Sequence, residues 1–212
     1  CIIQVGHIER FNPVINELKS LVEEPHYIEI ERLAPFQARG TEVPVVLDLM
    51  VHDIDLILEM VNSPIQNISA SGARMMSETI DLAHAHIKFK NGAVANLKSS
   101  RIARNYIRKI RTYQKNLYSI TDLMIPQTEL YGLENNNKFS SNAKTQLIKT
   151  QSGEKTLYYE KFIPKNNDAL LEEINDFVRS INLRSSPIVD GQAGLNALKI
   201  ALEIENKIFL NE

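Results

Sequence analysis

Hydrophobic positions along this chain repeat with two different periods, and the switches between them mark its elements. Residues 1–6 are an apolar run that stops at Gly6, which predicts a buried strand. Asn12-Pro13 then predicts a helix start, because an Asn side chain accepts an orphan N–H and Pro has none to leave unpaired. Val14, Ile15, Leu18, Leu21 and Val22 follow at helical spacing, and Pro25 closes the helix. Residues 26–33 alternate as a strand with one wet face does. A loop from Ala34 to Thr41 leads to a second helix, from about Val45 to Val61. It places Leu47, Met50, Val51, Ile54, Leu58 and Val61 on one face, and Asn62-Ser63-Pro64 ends it.

Beyond that helix the period is two. Strands are predicted at 65–74, 81–90, 93–101, 105–115, 117–124, 127–133 and 155–163. Asn91-Gly92 joins the second to the third as a tight hairpin, with positive φ at both turn residues. Residues 134–154, rich in Asn, Ser, Lys and Thr, read as an exposed loop with room for a short strand near Leu147-Ile148. Helical spacing returns over 167–182 and 190–209. Consecutive strands joined by short turns predict an open, mainly antiparallel sheet, with the helices on one face: an α+β fold. The other face alternates polar with apolar and is left for solvent or another subunit.

Composition removes several functions. At 43% hydrophobic and 24% charged the chain can build a core, so it is not disordered. A net charge of −2 gives no basic footprint for nucleic acid. No stretch reaches the roughly 18 apolar residues of a membrane span, and nothing marks export, so a cytoplasmic location is expected. The single cysteine, Cys1, fits a reducing compartment. The chain opens without Met, inside an apolar run, and is expected to be a piece of a longer protein.

Candidate chemistry concentrates on the second helix. Asp48 and His52 lie four apart and share a face that Asp55 and Glu59 continue. A carboxylate one turn from an imidazole can orient it and raise its pKa, and such a histidine can exchange a proton with a substrate hydroxyl. The same four positions are also what the solvated face of any amphipathic helix presents, and spacing does not decide between the two. His84 and His86 share a strand face and could join a metal site with Asp48 and His52, but more often such residues are simply solvated. Arg101, Arg104, Arg108, Lys109 and Arg111 could receive a phosphate or carboxylate, or could line a wet strand. No Gly-x-Gly-x-x-Gly, Walker loop, nucleophile elbow or Cys-x-x-Cys is present.

Three segments together resemble the Gfo/Idh/MocA oxidoreductases. Val5-Gly6-His7-Ile8-Glu9-Arg10-Phe11-Asn12-Pro13 is similar to the family's last Rossmann strand and the crossover into its second domain. Val45 to Asp55 resembles its signature helix, and Asp81 to Ala95 its first sheet hairpin. The tail from Leu170 to Ile208 also fits, with Ser186-Pro187-Ile188-Val189-Asp190 before the last helix. The resemblance implies that residues 1–10 are the remnant of an amino-terminal dinucleotide-binding domain. Residues 11–212 are then the substrate-binding and oligomerisation domain. It implies hydride transfer between NAD or NADP and a hydroxyl of a sugar or nucleotide-sugar. It implies a homodimer or homotetramer built through the open sheet face.

By position, His52 resembles the family's catalytic histidine and Asp48 its partner. His7, Arg10, Asn12 and, more weakly, Arg39 are expected at cofactor or substrate, although Asn12 can equally be a helix cap alone. No metal ligand is implied. The segment Ile8-Glu9-Arg10-Phe11-Asn12 is similar to the branch acting on UDP-N-acetyl-hexosamines. The glycine-rich loop, the acidic residue that reads the ribose and the Glu-Lys-Pro segment with its catalytic Lys are missing, so this piece by itself is expected to be inactive. The competing expectations are a non-catalytic module for oligomerisation or sugar binding with the same fold, and a metal hydrolase using Asp48, His52, His84 and His86.

Overall fold

Alternation along the strands dominates the architecture of this chain, shown in a computed structural model that describes residues 1–133, 138–151, 153–165 and 168–210. Nine strands form one sheet: β1 (Tyr27–Leu33), β2 (Ile65–Ala73), β3 (Leu82–Phe89), β4 (Val94–Ser100), β5 (Ile107–Gln114), β6 (Leu117–Asp122), β7 (Gln127–Gly132), β8 (Lys144–Thr150) and β9 (Gly153–Phe162). Their order is β2-β3-β4-β1-β5-β6-β7-β9-β8. Every pairing is antiparallel except β1 with β4.

The insertion of β1 between β4 and β5 departs from a simple run of hairpins. Its even positions Ile28, Ile30 and Arg32 are all buried. A strand that buries one face this completely sits best in mid-sheet, where both edges of its backbone are paired. The register sets Ile30 between Leu97 and Ile110, all three within the core. Helix α2 (Val51–Met60) packs on β1 and β4, α4 (Gly191–Leu210) on β2 and α2, and α1 (Pro13–Leu21) on β6 and β7. Small residues make this close approach possible: Ala83, Ala85 and Ala95 of the sheet and Ala197 and Ala201 of α4 are fully buried. Large buried side chains such as Ile54, Ile57 and Phe89 supply the stabilisation, about 1.5–3 kcal/mol each relative to exposure. On the opposite face Tyr27, Tyr113, Tyr118, Tyr131 and Tyr159 form a ladder across β1, β5, β6, β7 and β9, with ring centroids 4.7–5.8 Å apart.

Several local expectations change. Residues 1–6 make one isolated bridge, Gln4 with Asp190, instead of a strand, because their other neighbours among the described residues, Glu173 and Gly194, lie on helices. The Asn91-Gly92 hairpin has positive φ at Gly92 alone. The Gly92 N–H donates to the Phe89 carbonyl and the Phe89 N–H to the Ala93 carbonyl, so the loop takes one more residue than a two-residue turn. The short strand expected near Leu147-Ile148 is the full edge strand β8, and the rest of that expected loop falls partly on residues 134–137 and 152, outside the described residues.

Helix α3 (Ala169–Leu183) does not join the layer on the sheet. It packs against the 3₁₀ turn Ile8–Phe11 and leaves Leu170, Ile174, Val178 and Ile181 exposed. The second predicted helix is split: a π-helical turn, Val46–Met50, precedes α2. A π turn holds an extra residue, so the buried face shifts beyond it. Leu56 and Ile57 are buried although they lie off the predicted face, and Asp53 and Asp55 are buried with them.

Candidate active site

The crossover segment and α2 meet at two histidines. Asn12 fixes the first of these elements: its side-chain oxygen accepts the Val14 N–H at 3.2 Å and caps α1, with Pro13 in the first turn. The 3₁₀ turn Ile8–Phe11 opens on His7, whose carbonyl accepts the Arg10 N–H. These constraints aim the His7 ring at His52. The two Nδ1 atoms stand 3.2 Å apart, and the rings meet edge to face with centroids 5.3 Å apart. In such a contact one nitrogen donates and the other accepts, so the pair holds one proton between two rings. Neither Nε2 has a hydrogen bond among the described residues, and His52 is only half-buried.

A buried ionic network supports the pair. Arg32 closes a fork on Asp53, with Nε 2.9 and 3.0 Å from the two carboxylate oxygens and Nη2 2.7 Å from Oδ1. Glu9 accepts from Asn12 Nδ2 at 3.1 Å and lies 3.6 Å from Arg32 and 3.4 Å from Arg108. Arg10 forks onto Asp55 at 2.6 and 3.1 Å and also pairs with Glu59, which Lys19 reaches from outside.

Burial tunes both imidazoles downward. Burial is the largest cause for His52, followed by the positive Arg32 guanidinium and by His7. Glu9 opposes them, and the ring falls to about 4. Burial also lowers His7, against the pull of Asp55. Burial acts to lower Arg32 as well, but the Asp53 carboxylate and then Glu9 outweigh it and hold the guanidinium firmly charged. At neutral pH the site therefore presents uncharged imidazoles, competent to accept a proton.

The sequence-predicted residues are distributed unevenly. His7 and His52 come together. The Asp48 carboxylate makes no hydrogen bond to His52 or to any other described residue, although its backbone N–H donates to the Pro44 carbonyl. It lines a cavity of about 170 Å³ one turn away, together with Arg39. The polar atoms of Arg10 and Asn12 are engaged within the fold. His86 bonds to Asn96 at 2.8 Å, and no cluster of three metal-ligating side chains occurs among the described residues. Lys109 and Arg111 pair with Asp122 and Glu31 across the open face. Glu9, Arg32 and Asp53 were not singled out by pattern. The available signal was Arg32 in the apolar register of an alternating strand, which calls for a buried acid.

Comparison with known proteins gives these residues a setting. Residues 32–115 match the model of the GFO/IDH/MocA C-terminal domain. Over 204 residues the chain is 31% identical to UDP-N-acetylglucosamine 3-dehydrogenase of Acidithiobacillus ferrooxidans, covering 96% of this chain and 61% of that protein. It is 24% identical to myo-inositol 2-dehydrogenase of Thermotoga maritima, covering all of this chain and 65% of that one. A solved structure of the Acidithiobacillus enzyme superimposes with a TM-score of 0.83 at 30% identity, over 98% of this chain and 62% of that chain. An NAD-binding protein from Listeria innocua shares the fold, with a TM-score of 0.74 at 18% identity over 99% of this chain and 65% of that chain. The chain thus spans less than two thirds of the length of these relatives.

Proposed function

The chain belongs to the Gfo/Idh/MocA family, and from that premise we propose that it is the substrate side of a nicotinamide-dependent dehydrogenase of a nucleotide-sugar hydroxyl. The observation that carries the reading is the His7–His52 pair, 3.2 Å apart, with both rings lowered by burial and His52 also by Arg32. His52 is the general base. Its free Nε2 takes the hydroxyl proton as the carbon–oxygen bond of the substrate gains double-bond character, and Nδ1 turns toward His7, which shares the added charge. In the reverse direction the same proton returns to the carbonyl oxygen. A bound NAD or NADP supplies the hydride acceptor in this scheme.

The fit to a dinucleotide is one-sided. No glycine-rich turn leads from strand to helix among the described residues, so its phosphates find no backbone cradle on them. The residues present fit the reacting end, where His7 and His52 face the substrate hydroxyl. Asp48 and Arg39 are assigned to the substrate from the cavity wall. Arg10 and Asn12 hold the crossover that positions His7. Subunits are proposed to meet through the tyrosine-laddered face as a homodimer or homotetramer. In the intact enzyme, His52→Ala is expected to lower kcat with UDP-N-acetylglucosamine about a hundredfold or more, with a smaller change in KM. Wild-type turnover in that variant rules out the assigned role.

A further inference from the structure

We infer that the arginine-walled cavity one turn from the histidine pair receives the diphosphate of a sugar nucleotide, with Arg39 and Arg108 as its anion contacts. The inference rests on the reading that the substrate is a nucleotide-sugar. The cavity, about 170 Å³, lies between the loop after β1, the start of β5 and the π turn, and four arginines line it.

Two of the four are committed as walls. Arg32 is held by its fork on Asp53. Arg101 is buried and donates to the carbonyls of Gly40 and Ile80 at 3.2 Å each, and to that of Val43. By gripping Gly40 and Val43 it pins the loop that carries Arg39, so the position of Arg39 is set before a ligand arrives.

The other two arginines keep open donors. Arg39 is exposed and makes no hydrogen bond or ion pair among the described residues. Arg108, its side chain 41% exposed, reaches Glu9 through Nη1 alone at 3.4 Å. Two guanidinium forks with unfilled N–H groups on one concave wall suit phosphoryl oxygens, which they can bind in bidentate fashion. The rest of the wall suits the rest of such a ligand. Tyr106, 48% exposed and bonded by Gln37 at 3.0 Å, offers an aromatic face for a base. Asp48 is an acceptor for sugar hydroxyls and stands on the helix that leads to His52. A phosphorylated sugar can therefore span from the guanidiniums to the proton-transfer pair.

The test is isothermal titration of the protein with UDP, UDP-N-acetylglucosamine, N-acetylglucosamine and ADP-ribose. Arg39→Ala touches no bond of the fold, so its effect is not confounded by unfolding. It is expected to weaken UDP about tenfold or more and to leave N-acetylglucosamine unchanged, with Arg39→Lys recovering part of the loss. Arg108→Ala should act in the same direction. Equal UDP affinity in wild type and both variants overturns the assignment of the cavity and leaves the substrate reading standing. Absence of UDP binding by the wild type overturns both. If ADP-ribose binds more tightly than UDP and suffers the same loss, the cavity serves the dinucleotide and the inference fails.

Discussion

Replacing Arg32 by Met removes a charge while keeping most of its volume. The Arg32 and Asp53 side chains are 6% and 1% exposed and share three hydrogen bonds of 2.7–3.0 Å. Without Arg32, Asp53 is a carboxylate in the core with no hydrogen-bonded counter-charge, and removing one member of a buried pair costs about 3–5 kcal/mol. At this chain length each kcal/mol lowers the melting temperature by about 2–4 °C, so the variant should melt roughly 6–20 °C below wild type. The sign of the pH dependence follows from the orphaned acid. Burial already raises the Asp53 pKa against the pull of Arg32, and without that partner it rises further above the unfolded value, so the variant's deficit is smallest in acid and grows as pH rises toward the raised pKa. A double variant, Arg32→Met with Asp53→Leu, removes both charges and should recover most of the loss. Calorimetry at several pH values reads all three effects, and an NMR titration reads a fourth: His52 should rise from about 4 once the neighbouring cation is gone. A single variant that melts with wild type at every pH would refute the network as a structural element.

Two further outcomes follow from the same packing and charges. His52 is lowered from 6.5 to about 4 in the fold, so the unfolded chain binds its proton first. Stability from this group is present above about 6.5 and is lost as pH falls toward about 4, by at most about 3 kcal/mol. Thermal melts of wild type and His52→Gln across that window should differ in slope, and identical slopes would exclude it. Gly72 on β2 faces Ile208 of α4, and an added Cβ would stand 2.9 Å from Ile208 Cγ2, 3.0 Å from Ile80 Cγ2 and 3.0 Å from the Leu82 carbonyl oxygen. Gly72→Ala should therefore cost about 1–3 kcal/mol by overpacking, measured by urea denaturation with an unchanged m-value. A neutral result would show that α4 moves freely on the sheet.

Local information was legible along the chain. Asn12-Pro13 announces its helix because the cap and the fixed φ act within one turn, and α1 begins at Pro13. Alternation marks β1, β3, β4, β6 and β7 because side chains point to opposite faces whatever lies beside them, whereas the exposed edge strand β8 carries no such pattern. His52 was legible as a candidate from its spacing to Asp48, and His7 only through resemblance, while their contact spans 45 positions that no local period can encode. The place of β1 between β4 and β5, the slip in the buried face after the π turn and the fork of Arg32 on Asp53 belong to the tertiary structure. Each depends on which surface arrives from elsewhere: a strand finds its neighbours, a helix its rotation and a buried charge its partner only when the sheet has closed over them. The neutral state of the histidines has the same origin, since burial and the Arg32 field do not exist in the extended chain.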